Sequence, residues 1–188
     1  MNKTIPICVL LVLLLAPAAG AVDPPTAITK AQASYMQGKS VDSIGWLREA
    51  MQGVWEKTPL TIQNLTLITD QPQGYGVYTP RAGSEFESID PLIVYFEPIG
   101  QTAKKQGDWY TFSMSADFAL LDAKDQVLAR QADFYKSDTR SRAFNTEFMM
   151  SFTVPLKGLA PGQYKAVFTL KDMNSKKKVE FAQPFSVK

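Results

Sequence analysis

The chain has 188 residues, 20 basic and 18 acidic side chains for a formal charge of +2, no histidine and one cysteine. Without histidine, Ser-His-Asp and Cys-His nucleophiles and histidine-bearing metal sites are excluded. Near-neutral, interspersed charge argues against nucleic-acid binding and against a strongly charged membrane contact.

The N-terminus reads as a secretory signal, with Lys3 as the positive n-region, an apolar stretch over residues 5–15, and the small residues Ala16-Pro17-Ala18-Ala19-Gly20-Ala21. The apolar stretch is shorter than the roughly 20 residues that span a bilayer. Cleavage after Ala21 is therefore expected, with no stable membrane insertion afterwards and a periplasmic or secreted location. Cys8 lies inside the apolar stretch rather than after the small residues, so no lipid anchor is implied. Removal of residues 1–21 leaves a chain without cysteine, which must hold its fold through a core and not through disulfides.

Residues 22–59 predict a helical hairpin. Pro24 and Pro25 suggest an extended lead, residues 28–36 a short helix, and Gly38 its stop. Ser40 can cap a second helix in which Val41, Ile44, Leu47, Met51, Val54 and Trp55 follow three-and-four spacing up to Pro59. The order Ala31, Tyr35, Gly38, Ile44, Leu47, Ala50 resembles one tetratricopeptide-type hairpin. It occurs once, and a solenoid needs several repeats to bury a continuous core, so a peptide-binding array is not expected. The hairpin is expected to dock on the sheet, with a partner-docking arm as the alternative.

From residue 60 onward the period changes to two. In residues 109–120, Tyr110, Phe112, Met114, Ala116, Phe118 and Leu120 alternate with a mostly polar set. Phe148, Met150, Phe152, Val154 and Leu156 repeat the pattern, as do Tyr164, Ala166, Phe168 and Leu170, and then Val179, Phe181, Phe185 and Val187. Turn signals at residues 122–125, 161–162 and 173–176 separate them. With segments 60–68, 75–79, 92–96 and 127–135, about eight short strands are predicted for residues 60–188. The fold expected is mainly β: an immunoglobulin-like antiparallel β-sandwich behind a short N-terminal α-helical hairpin. Residues 92–96, Leu-Ile-Val-Tyr-Phe, are apolar on both sides and require cover on both faces. Trp46, Leu47, Met51 or Trp55 of the hairpin is the predicted cover.

The turn at residues 159–164, Leu-Ala-Pro-Gly-Gln-Tyr, leads into a Tyr-x-Ala-x-Phe-x-Leu strand and Asp172. It resembles the penultimate-strand entry of many immunoglobulin-like bacterial domains, in which the Tyr164 hydroxyl would reach backbone groups at the corner. Residues 74–81, 91–98 and 116–122 together resemble uncharacterised exported proteobacterial proteins. That resemblance implies a β-sandwich and an envelope location but transfers no activity and no site residues.

The enzyme chemistries left open are a carboxylate pair, a Ser-Lys pair and an all-oxygen metal site, none with convincing spacing. Asp117 and Asp122 are read as a solvated face and a turn, and Asp122 with Asp125 lacks a ligand-rich loop for calcium. Lys176-Lys177-Lys178 reads as an exposed, edge-protecting hairpin tip. Asn64-Leu65-Thr66 matches a glycosylation sequon inside a strand. The best candidate surface is aromatic: Tyr75 and Tyr78 in a glycine-punctuated segment, Trp109 on the polar face of its strand, and Arg81 and Glu97 nearby. Such rings can stack on sugars or anchor a protein, although covering the sandwich end or packing beneath the hairpin is the commoner use. The expectation is a binding or assembly module of the cell envelope that recognises a protein partner through a sheet face, an edge or the hairpin. No catalytic residue, cofactor or metal is predicted. A carbohydrate-binding module and a carboxylate-based hydrolase are the alternatives.

Overall fold

The computed structural model describes residues 22–188, so the signal reading lies outside the described residues. These form two compact units, one running to Ala50 and one starting at Met51. Helix α1 is Pro24–Met36 and α2 is Ser40–Lys57. Pro24 and Pro25 are not an extended lead: they occupy the first turn of α1, where no intrahelical N–H partner is needed and the fixed φ suits a helix. The Asp23 carboxylate caps that turn by accepting from Thr26 N at 3.1 Å. Gly38 ends α1 with φ +74, the left-handed stop its sequence position suggests. In the first unit Ala27, Ala31 and Ala50 are buried, and the Ser43 hydroxyl donates to Ala31 O at 2.8 Å. Small residues thus allow close backbone approach.

The second unit is a β-sandwich. Its strands are β1 Thr61–Leu67, β2 Glu85–Phe86, β3 Pro91–Ile99, β4 Lys104–Gln106, β5 Trp109–Asp122, β6 Val127–Ser141, β7 Met150–Pro155, β8 Gly162–Asp172 and β9 Lys178–Val187. One sheet has the order β1-β3-β7; the other has β2-β9-β8-β5-β4, with β6 also on β5. Neighbours are antiparallel except β2 and β9, which pair in parallel. The inward sets of the strands other than the exposed β4 meet in one core that includes Leu92, Val94, Phe96, Met114, Phe152, Phe168 and Phe185. Residues 75–79 are not a strand. They form a turn closed by a bridge between Gly74 and Val77, with Gly76 at φ +68. Strand β6 runs six residues past its predicted end, through an exposed, charge-rich stretch that carries little apolar alternation.

The both-sided burial of β3 is real, but its outer cover is different from the one predicted. Ile93 and Tyr95 pack with Ile68, Tyr78 and Met149, because residues 69–80 fold back along β3. Thr69 N donates to Thr79 O and Arg81 N to Leu67 O, which pins that return. Leu47 and Met51 remain about half exposed. Trp46 lies beneath the Lys30 ammonium at 4.4 Å, within the hairpin. Trp55 is buried, donating its indole N–H to Gln101 O at 3.2 Å and meeting Phe144 edge-on.

A polar knot secures the end of α2. Lys177 is not a solvated tip residue: its ammonium donates to Glu56 O, Thr58 O and Gly100 O at 2.8–2.9 Å. A cation satisfying last-turn carbonyls also opposes the negative end of the helix dipole. The buried Asp172 carboxylate accepts from Thr102 N, Asn174 N and Ser175 Oγ, so the β8–β9 turn is fixed to the same segment. At the opposite corner Tyr164 OH donates to Ala160 O at 2.7 Å, as the immunoglobulin-like turn implied.

Candidate functional site

Of the five residues singled out in the sequence, the structure brings Tyr75, Tyr78 and Glu97 together and sends Arg81 and Trp109 elsewhere. Tyr95 and Glu97 are two apart on β3 and therefore share its outer face. Tyr95 OH donates to Glu97 Oε1 at 2.6 Å and itself accepts from Gly76 N at 2.9 Å. Tyr78 lies against the Tyr95 ring, with centroids 4.1 Å apart. The second carboxylate oxygen, Oε2, accepts from Asn64 Nδ2 at 2.6 Å. Asn64 reaches it from a break in the β1–β3 register, with the left-handed φ of +51 that asparagine tolerates better than most residues. The sequon asparagine is thus engaged in the protein's own network.

Glu97 is only 4% exposed, and among the described residues its hydrogen bonds come from neutral donors. A buried carboxylate without a cation is costly unless its lone pairs are filled, and here both oxygens accept short bonds. Burial, followed by the hydrogen bond to Glu97, pushes the Tyr95 hydroxyl up to about 12 from 10.0. Burial and the nearby Glu97 carboxylate also raise Tyr75, with Glu147 adding to the effect. The cluster fixes the 69–80 return on β3 and leaves Tyr75 45% exposed at its rim.

The sign of the Tyr95 shift sets an alkaline prediction. The fold favours the neutral phenol, so this contribution is complete below the unfolded value near pH 10 and is lost as pH rises towards about 12. An absorbance titration of tyrosine ionisation is expected to show one late step near pH 12. The Tyr95→Phe variant should lack it while the earlier steps remain.

Arg81 is not beside Glu97. Its guanidinium lies 4.1 Å from the Phe86 ring centroid, donates to Glu85 O at 3.0 Å and approaches Asp90 at 3.5 Å. Trp109 is half-buried, and the guanidinium carbons of Arg140 and Arg142 lie 4.7 and 4.5 Å from its ring centroid. Arginines therefore occupy the ring surface that was expected to stack on sugars.

A groove of about 640 Å³ opens on the outer face of the larger sheet, with Ala119, Val167 and Ala182 among its lining and Asp117, Arg130 and Glu180 adding charge. Asp117 is held by Lys171 Nζ at 2.7 Å and accepts from Asp133 N at 2.9 Å. The Lys171 hydrogen bond lowers the Asp117 pKa, and the Lys136 hydrogen bond lowers that of Asp133. General-acid carboxyls are shifted the other way. Asp122 accepts from Lys124 N and Gln126 N, which is the turn role read from the sequence. Among the described residues no cluster of three metal-ligating side chains occurs.

No family model and no curated protein sequence matches the chain. Among solved structures, an alkylpurine DNA glycosylase from Pseudomonas fluorescens, solved on DNA with an abasic-site analogue, aligns at 8% identity and a TM-score of 0.36. That alignment covers 88% of this chain and 43% of the glycosylase. A superoxide reductase from Ignicoccus hospitalis aligns at 13% identity and 0.29, over 70% of this chain and 84% of its own. A Bacteroides uniformis β-glucuronidase aligns at 12% and 0.30, over 64% of this chain and 13% of its own. At these scores the similarities carry no argument about activity.

Proposed function

We propose that the protein is an exported, non-enzymatic assembly module of the bacterial cell envelope that recognises a protein partner through its helical hairpin. The observation that carries this reading is the apolar surface of the first unit. Ile28, Tyr35, Met36, Val41, Ile44 and Leu47 are each between 51% and 83% exposed. Scattered surface leucines need no explanation, but six large apolar side chains within twenty residues exceed what a solvated hairpin needs. Ile44 and Leu47 lie three apart on α2 and so share a face of the first unit. Such a surface suits the apolar face of a partner helix.

Export rests on the signal pattern of residues 1–21. Among the described residues no helix is long and apolar enough to cross a membrane. The Asp117 carboxyl at the groove, its pKa lowered chiefly by the Lys171 hydrogen bond, does not supply the protonated group a general acid needs.

The test is crosslinking in the native envelope followed by mass spectrometry, comparing the wild type with Ile44→Asp and Leu47→Asp. Both substitutions are expected to cut capture of one reproducible partner by about tenfold or more, since a buried apolar anchor contributes on the order of 2 kcal/mol. Thermal unfolding should be nearly unchanged, because both positions are already half in solvent. Equal capture by the variants would remove the hairpin from the interface.

A further inference from the structure

We infer that the outer face of the β4–β5–β6 end is a binding site for an acidic polysaccharide, a sugar chain bearing carboxylate or phosphate groups. This site is separate from the hairpin and does not depend on the partner proposed for it. The register aligns Lys104, Thr111 and Arg140 in one row across three strands, and places Gln106 opposite Trp109. Trp109 and Thr111 share a face by the two-residue period, and Arg140 on β6 and Arg142 just past its end both lie over the Trp109 ring. Three cations and an indole thus meet on one short stretch of sheet, with Lys105 next to them in sequence.

The charges here are left over by the fold. Among the described residues Lys104, Lys105 and Arg140 make no ion pair, and Arg142 has only a 3.9 Å approach to Asp108, itself 89% exposed. Elsewhere on the same sheet Lys165 pairs with Asp125 and Lys171 with Asp117 and Asp133, whereas Arg130 and Lys178 stand singly among the described residues and form no comparable cluster. Lys105 is turned to the Tyr110 ring on the other face, so three exposed cations, Lys104, Arg140 and Arg142, form the local field that attracts anions here.

Trp109 determines how the arginines can be used. A guanidinium lying over an indole spends its flat face on the ring and keeps its in-plane N–H donors for a bidentate oxyanion. Stacking also restricts the side chain beforehand, which reduces the entropy lost when a ligand binds. Arg140 at the end of β6 and Arg142 just beyond it, both against the one ring, can address neighbouring charged groups on an extended chain.

The ligand chemistry follows from what the patch lacks. It carries no exposed large apolar side chain that would enter a lipid surface. It is confined to three strand ends in a chain of formal charge +2, whereas nucleic-acid binding draws on many phosphate contacts. A flat cationic strip with hydroxyl and amide groups from Thr111 and Gln106 fits a chain that alternates anionic groups with sugar hydroxyls.

The experiment is calorimetric titration of the purified protein with polygalacturonate, neutral dextran and a 20-residue oligothymidylate. Binding to polygalacturonate, weakening with added salt, is expected, with none to dextran. The double variant Arg140→Gln/Arg142→Gln should bind about tenfold or more weakly, as charge-assisted hydrogen bonds are lost, with unchanged thermal unfolding. The matched double variant Lys176→Gln/Lys178→Gln should bind like the wild type. The inference fails if polygalacturonate does not bind, if the arginine variant binds equally well, or if the lysine variant loses as much. Tighter binding of oligothymidylate would reassign the patch to single-stranded nucleic acid.

Discussion

Replacing Gly100 by alanine is expected to destabilise the protein by about 3 to 5 kcal/mol, near the upper end for a single methyl group. Gly100 has φ +83, where a side chain alone costs about 1 to 2 kcal/mol. Its new Cβ would also lie 2.5 Å from Pro59 O and 2.8 Å from Thr58 O. Those neighbours are backbone, so relief requires moving the chain. That chain is held in place, because Thr58 O and Gly100 O accept from the same Lys177 ammonium and Gln101 O accepts from Trp55. Gly107 supplies the comparison: its φ is +58, yet a Cβ there meets nothing within 4 Å. Gly107→Ala should therefore cost only about 1 to 2 kcal/mol. Urea unfolding of the two variants separates conformational strain from collision. Equal losses would show that residues 58–59 yield to the methyl group, and the knot would then be softer than its hydrogen bonds suggest.

The parts of the fold legible in the sequence are those where one strand face is wet. Tyr110 to Leu120 and Tyr164 to Leu170 alternate clearly because water covers the other side, and both form strands with the predicted inward sets. Residues 92–96 announced that something must cover them but not what, since an apolar run records burial without naming its neighbour. Residues 75–79 carry strand-favouring tyrosines and valine, yet Gly74 and Gly76 turn the chain over β3 instead. Lys177 was indistinguishable from Lys176 and Lys178, because three identical side chains do not reveal which one meets a helix end 119 residues away.

Much the same physics governs the candidate sites. Tyr75, Tyr78 and Glu97 were grouped from the sequence, but Tyr95 was read only as part of an apolar run, although its two-residue spacing from Glu97 puts both on one strand face. Asn64 was not readable, since its reach to Glu97 depends on a register shift and a left-handed φ. Nothing near Trp109 in sequence announced Arg140 and Arg142: they arrive through the long β5–β6 pairing. The exposed hairpin was foreseen as an amphipathic pair, but the same periodicity serves docking inward and docking outward. Periodicity alone therefore does not choose between them.

Phe152→Ala is the second large effect, expected at about 3 to 5 kcal/mol. Phe152 is 1% exposed on β7, the edge strand of the smaller sheet. Its ring meets Phe96 of its own sheet at 4.9 Å and, across the sandwich, Phe168 at 5.1 Å, Tyr135 at 5.2 Å and Phe134 at 5.5 Å. Truncation removes contacts to both sheets at once and leaves a cavity walled by rings that are anchored on three different strands, β3, β6 and β8. Such walls collapse poorly, which places the loss toward the upper end of the range. Phe152→Leu retains much of the apolar volume and should cost about half as much. With the chain free of disulfides after Ala21, this core is the principal source of stability, so the alanine variant should also unfold well below the wild-type melting temperature. A loss below about 1 kcal/mol would mean that β7 can shift to fill the space, and that the two sheets are not locked together through this ring.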